Sequence, residues 1–367
     1  MKITTNSVAF NQALYLESGR VLDAFEIKYE TYGTLNSDKS NVIVVCHALT
    51  GSHHAAGKYE GDRKSGWWDD LIGPEKGIDT NKYFVICMNN IGSCFGSTGP
   101  MSINPTTNKP YRYKFPVLTI TDIVKAQKVL LSYLGIESVY GVVGGSMGGM
   151  QALCYAIEHP CFAKHIIALA TTAYTRPWAI AFNKIAVEAI RNDATFDDGN
   201  YDPEVIKENG LAGLAYGRMA GHISFLSNDS MMKKFGRRYV SDDGLYELFG
   251  RFEVERYLEY NGYNFPKSFD PLSYLYIVKT MNIFNAARNN DTLAMSLSKI
   301  KSKLHLFSFS GDLLFKPEEM HEIYDTMQEN GQEDIVNYYE IKSDYGHDAF
   351  LVEVDKFDNT IRKILKG

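Results

Sequence analysis

"GVVGGSMGGMQAL", residues 141–153, sets one serine between two pairs of glycines. The run "SVYGVVGG" that leads into it is apolar and rich in valine, as a buried strand is. The run "MGGMQALCYAIEHP" that leaves it reads as a helix closed by Pro160. Gly144-Gly145-Ser146-Met147-Gly148 therefore fits G-x-S-x-G in a strand-turn-helix setting, which is what holds a nucleophilic serine on a tight, exposed turn. Side chains at the neighbouring positions would collide in such a turn, which accounts for glycine at 144, 145, 148 and 149. The helix start behind Ser146 puts positive partial charge where an oxyanion would develop. Without partners for Ser146, the stretch could equally be a glycine turn that only lets the helix pack close to a sheet.

Working outward, "NVIVVCHAL" (41–49), "KYFVICMNN" (82–90) and "KHIIALAT" (164–171) are short continuous apolar runs, as in strands covered on both faces. "VLDAFEIKYETY" (21–32) roughly alternates, as a half-buried antiparallel strand does. "TITDIVKAQKVLLSYLG" (119–135) carries a helical apolar stripe interrupted at Gln127, with a capping-box start at Thr119 and Asp122. Strands and helices alternate from about 41 to 171, which predicts an α/β fold with a mostly parallel sheet flanked by helices. Residues 177–302 read as helices without a buried strand. The alternation resumes with "KLHLFSFSGD" (303–312), a helix from Pro317, a strand at 335–341 and a closing helix near 349–364. The expected organisation is a sheet domain over 1–174 and 303–367, with a helical cap inserted at 175–302.

A serine nucleophile needs a base, and the base an orienting carboxylate. In this type of fold they follow in the order serine, acid, histidine. "HLFSFSGDLLF" ends a strand at Ser310-Gly311-Asp312, which puts Asp312 on the loop at its carboxyl end, and His347 falls on the loop after the next strand, at the same edge of the sheet. Asp325, Asp334, His305 and His321 are weaker candidates, because they fall on a helix, in a polar loop, in a strand and on a helix. The oxyanion donors are expected from the backbone of Met147 and of Leu49, in "CHALTGSHH". His53 and His54 are adjacent and lack an accompanying ligand pattern, so no metal site is expected. "GSHHAAGKY" (51–59) is one residue too long for a phosphate loop and ends in Tyr59, and the serine turn is not G-x-G-x-x-G.

The 367 residues carry a net charge of −6, which argues against a nucleic-acid partner. No stretch approaches the roughly 20 apolar residues of a membrane span, and the N-terminus lacks a signal-peptide core. Five cysteines without a paired spacing point to a reducing compartment. A soluble, cytoplasmic protein is the expectation.

"CHALTGSHHAAG", "GWWDDLIGPEKGIDTNKYFVICMNNIGSCFGSTGP", "GGSMGGMQAL", "KFGRR" and "GHDAF" together resemble the homoserine O-acyltransferases, and the resemblance covers nearly the whole chain. It implies an α/β-hydrolase fold with a helical cap and a homodimer formed through that cap. It further implies acetyl transfer from acetyl-CoA through Ser146 to the hydroxyl of L-homoserine, a step of methionine synthesis, with no cofactor beyond the co-substrate. The resemblance gives Arg218 the homoserine carboxylate and Asp348 its ammonium group. From the residues alone, Arg218 reads as a surface charge and Asp348 as a helix N-cap. The chain departs from the family at Phe225, where tyrosine is frequent, and at "MNIFNAARNND" (281–291). Succinyl-CoA as donor, and ester hydrolysis by the same triad, are the alternative readings.

Overall fold

The computed structural model describes residues 1–62, 64–241 and 245–366. Eight strands form its main sheet: β1 (Ile3–Phe10), β2 (Phe25–Tyr32), β3 (Val42–Cys46), β4 (Phe84–Met88), β5 (Val139–Gly145), β6 (Ala163–Leu169), β7 (Lys303–Phe309) and β8 (Val336–Ile341). Their spatial order is 1-2-4-3-5-6-7-8. β2 runs antiparallel to β1 and β4, and every other pairing is parallel. All five residues of β3 are buried, as two covered faces require. The register levels the carboxyl ends of the central strands: Gly144 pairs with Cys46, Gly145 with Leu169, and Leu169 with Phe307. The loops that leave these strands therefore meet above one edge of the sheet, where ligands of open α/β sheets bind.

The helices flank and crown this sheet. α1 (Ile120–Tyr133) starts with both bonds of the capping box, Asp122 N–H to Thr119 Oγ1 at 3.1 Å and Thr119 N–H to Asp122 Oδ2 at 3.0 Å. α2 (Met147–Glu158) follows Ser146 directly. Between β6 and β7 come α3 (Pro177–Arg191), α4 (Pro203–Asn209), α5 (Ala212–Phe225), α6 (Asn228–Phe235), α7 (Glu253–Asn264), α8 (Pro271–Asn282) and α9 (Leu293–Leu297). Among the described residues this stretch adds isolated β-bridges but no named strand. It has a core of its own around Ile190, Leu214, Leu272 and Val278. Tyr276 and Thr280 of α8 fasten it to the sheet domain by donating to the carbonyls of Phe115 and Leu118, at 2.8 and 2.9 Å. α10 (Pro317–Glu329), α11 (Ala349–Val352) and α12 (Asp358–Lys366) complete the chain.

Three details depart from the sequence reading. β1 was not expected, because "ITTNSVAF" is polar; it is an edge strand, half exposed along its length, so polar side chains cost it little. β2 starts at Phe25, and residues 21–22 pair instead with residues 14–15 in a small separate ladder. The closing helix near 349–364 is broken. The Phe350 carbonyl that Val354 N–H would bond in a continuous helix accepts from Trp68 Nε1 at 2.9 Å. Glu353 leaves helical geometry at φ −110°, ψ 43°, and the bend lets Phe357, Ile361 and Leu365 all pack under the sheet.

Candidate active site

Ser146 is the residue where β5 stops and α2 begins. Its backbone is held at φ 57°, ψ −122°, a conformation that costs a non-glycine residue energy and survives only where neighbours enforce it. Ser146 N–H donates to the Leu169 carbonyl at 2.9 Å, and Thr171 Oγ1 donates to the Ser146 carbonyl at 2.9 Å. Two glycines make the turn possible. A Cβ on Gly144 would lie 2.2 Å from the Gly148 carbonyl oxygen, and one on Gly148 would lie 2.1 Å from that of Cys46. Both obstacles are backbone and cannot swing aside. Gly144→Ala is accordingly expected to cost about 3 kcal/mol, the upper end for overpacking, read as a lowered midpoint of thermal unfolding.

The loops after β7 and β8 bring the other two groups to Ser146. Ser146 Oγ donates to His347 Nε2 at 2.8 Å, and His347 Nδ1–H donates to Asp312 Oδ2 at 2.8 Å. The remaining carboxylate oxygen, Oδ1, accepts from the backbone amides of Leu314 at 2.8 Å and Phe315 at 3.0 Å. Asp312 can only accept, so the proton of neutral His347 sits on Nδ1 and Nε2 is free to take one. All three side chains are buried. Burial pulls the His347 pKa down, but Asp312, with Asp348 and Glu319 further off, outweighs it and leaves it above the ordinary 6.5.

Two backbone donors lie beside this row. Among the described residues, the amides of Met147 and Leu49 have no acceptor, although Met147 is fully buried and Leu49 is half-buried at the cavity wall. Unpaired amides at buried positions are uncommon and cost stability unless a ligand completes them.

The cavity over Ser146 is closed by the cap. Ala179, Phe182 and Asn183 of α3, Arg218, Gly221 and Phe225 of α5, and Tyr274 and Met281 of α8 face it, opposite Leu314, Phe315, His347 and Asp348. Among the described residues Arg218 is the only lysine or arginine that lines it. Its guanidinium lies 4.8 Å from the ring centre of Phe265 and 5.5 Å from that of Phe225, with no hydrogen-bond partner among the described residues. Burial lowers its pKa, and the Asp348 charge works against that fall. Burial raises the Asp348 pKa, opposed by His347 and Arg218. A half-buried cation and a half-buried anion thus face one cavity without touching each other, an arrangement that a zwitterionic ligand would complete. Asp348 does stand at the N-cap position, just before Ala349 of α11, but its side chain makes no capping bond, so it does not act as a cap. Arg218 is not a surface charge either.

Phe225 presents a ring to the cavity, 6.1 Å from the His347 ring centre, where a tyrosine would present a hydroxyl. Within 281–291, Met281 lines the cavity, and Asn285 bridges to Tyr174. His54 Nδ1 and Glu30 Oε2 are 3.0 Å apart, and among the described residues no group of three or more candidate ligands gathers to hold a metal. Asn183 and Tyr274 went unnoticed in the sequence, since a polar side chain on a cap helix carries no mark of the face it presents.

Comparison with known proteins agrees with this fold. Residues 41–354 match the family described as alpha/beta hydrolase fold. The chain is 61% identical to a homoserine O-acetyltransferase of Sulfurimonas autotrophica, with both chains covered in full. The crystal structure of homoserine O-acetyltransferase from Bacillus anthracis superposes with a TM-score of 0.92 at 29% identity, over 100% of this chain and 98% of that one. Esterase E22 superposes with a TM-score of 0.89 at 30% identity, over 99% of this chain and 100% of the other. An eight-stranded sheet in this order and full-length identity to a named acetyltransferase together establish that the chain belongs to the homoserine O-acetyltransferase family, within the α/β-hydrolase fold.

Proposed function

We propose that the chain transfers the acetyl group of acetyl-CoA to the hydroxyl of L-homoserine by double displacement through Ser146. The observation that carries this reading is the Ser146–His347–Asp312 row opening into a cavity that holds Arg218 and Asp348 unpaired. His347 Nε2 takes the Ser146 proton as Oγ attacks the thioester carbonyl, and the Met147 and Leu49 amides receive the developing oxyanion. Collapse of the intermediate expels coenzyme A, which leaves with the proton from His347. The homoserine hydroxyl then enters, gives its proton to the same nitrogen and attacks the acyl-enzyme, and Ser146 recovers the proton. Asp312 holds the imidazole in the required tautomer and stabilises its charged form.

Arg218 serves the homoserine carboxylate and Asp348 its ammonium group. Among the described residues that line the cavity, that use of Arg218 leaves no second lysine or arginine for the distal carboxylate of a succinyl group, which supports acetyl-CoA as donor. Ester hydrolysis remains the second reading, because esterase E22 shares the fold over its full length. The opposed charges of Arg218 and Asp348 favour an amino-acid acceptor over water. Purified protein should release coenzyme A steadily from acetyl-CoA only when homoserine is present; steady release without it would establish hydrolysis instead, and faster release from succinyl-CoA would overturn the donor.

Arg218→Ala should raise the KM for homoserine roughly 10- to 100-fold, the worth of one charge-assisted contact, while the first burst of coenzyme A survives. A reduced burst would show that Arg218 serves the donor. The same reading includes a cytoplasmic homodimer joined through the cap. Its support is the set of exposed apolar side chains on cap helices, among them Trp178 and Ile185 on α3 and Tyr260 on α7. Light scattering on the eluting protein tests it, and a monomer mass would reject it.

A further inference from the structure

Gln151 lies in the second turn of α2 and its side chain is wholly buried. Its Nε2 donates to the His47 carbonyl at 3.0 Å and to the Met147 carbonyl at 3.3 Å. Those two carbonyls flank the two unpaired amides above Ser146. One belongs to residue 147 itself, and the other lies two residues before Leu49. The Gln151 oxygen accepts from Gln127 Nε2 at 2.8 Å. That bond settles which way the Gln151 amide faces, since the reverse orientation would set its oxygen against two carbonyls.

Among the described residues no other hydrogen bond ties these segments together beyond the sheet. The last rung between β3 and β5 pairs Cys46 with Gly144, and past it the chain turns off into His47–Thr50. Gln151 bridges the gap that opens there. The buried groups behind it leave it little freedom. Gln127 Nε2 also donates to Asn90 Oδ1 at 3.0 Å, and Tyr155 donates its hydroxyl to Gln127 Oε1 at 3.0 Å. Asn90 N–H donates to His47 Nε2 at 3.0 Å, which leaves the His47 proton on Nδ1, 2.8 Å from the Ala48 carbonyl. The interruption that Gln127 makes in the apolar stripe of α1 is thus the centre of a continuous hydrogen-bonded network, joined to Tyr155, Asn90 and Gln151.

We infer that Gln151 is a positioning residue for acyl transfer, setting the distance between the Leu49 and Met147 amides and hence the strength of the oxyanion hole. The inference rests on reading those amides as the hole. A donor misplaced by about 1 Å can cost on the order of 10²-fold in rate, so a side chain that spans the two segments acts on catalysis without touching substrate.

The test uses two thioether ketones of coenzyme A that cannot transfer an acyl group. S-acetonyl-CoA reports ground-state binding. Its trifluoroacetonyl counterpart adds Ser146 Oγ to the ketone carbon; the serine proton passes to His347 Nε2, and the carbonyl π pair becomes an oxyanion with no group leaving. Gln151→Met, which keeps length but cannot donate, should lower kcat/KM roughly 10- to 100-fold. It should weaken the trifluoro ketone by the same factor and leave S-acetonyl-CoA binding within about twofold. Gln151→Glu, whose buried carboxyl takes up a proton and donates one bond in place of two, should fall between Gln151→Met and the wild type. Gln127→Met should show a smaller loss of the same kind. If the two ketones weaken together, or if only the unfolding midpoint drops, Gln151 merely supports the fold and the inference fails. If the wild type binds the trifluoro ketone no more tightly than the plain one, the assignment of the two amides is what fails.

Discussion

Ser146→Ala should lower turnover by roughly 10⁶-fold, because the hydroxyl is the only group that can carry the acyl intermediate. The fold should tolerate the change. Alanine suffers the same strain at φ 57° as serine, and the bonds that hold the turn run to the backbone of residue 146 rather than to its side chain. The loss should therefore come without a comparable drop in the unfolding midpoint. Mass spectrometry after mixing with acetyl-CoA should show one added acetyl group on the wild type and none on the variant. A variant that kept even a hundredth of the activity would mean that acetyl passes directly from donor to acceptor, and the double displacement would be wrong.

Asp312→Asn should lower kcat on the order of 10⁴-fold, and the structure gives the reason. The amides of Leu314 and Phe315 both donate to Oδ1, so the asparagine oxygen has to stay there. The asparagine NH₂ then faces His347 Nδ1 and makes it an acceptor. The imidazole proton moves to Nε2, toward Ser146, where a base is needed. The pH profile should move as well. Acylation needs neutral His347, so wild-type kcat/KM should fall as pH drops through a midpoint above 6.5, where burial is outweighed by Asp312. Removing the carboxylate takes away the largest influence opposing burial, which lowers the histidine pKa and shifts that acid limb to lower pH. An acid limb that stays in place in Asp312→Asn would mean that the limb belongs to another group.

The triad was legible in the sequence for a geometric reason. In a parallel sheet every strand delivers its following loop to the same edge, so chain order and strand ends were enough to pick Asp312 over Asp325 or Asp334, and His347 over His305 or His321. The sheet and the helical stretch between its halves were legible from runs of covered strands followed by helical spacing. The edge strand Ile3–Phe10 was hidden because solvent on one side removes the apolar alternation that marks a strand. The break at Glu353 was hidden because it depends on Trp68, which takes the Phe350 carbonyl from far along the chain.

Residue type and spacing along the chain thus specified which elements form and which end of the sheet carries the chemistry, since both follow from local periodicity and strand direction. What a single side chain does depends on which neighbours folding brings to it, and that is not a local property. Arg218 reads as an ordinary charge on an amphipathic helix until the cap turns it toward Asp348 across the cavity. Gln127 looks like a flaw in an apolar stripe until it meets Gln151, Asn90 and Tyr155. The glycines around Ser146 show that a tight turn forms there. Their spacing from the Leu49 loop, and so the strength of the oxyanion site we propose there, depends on contacts between segments that only the folded chain brings together.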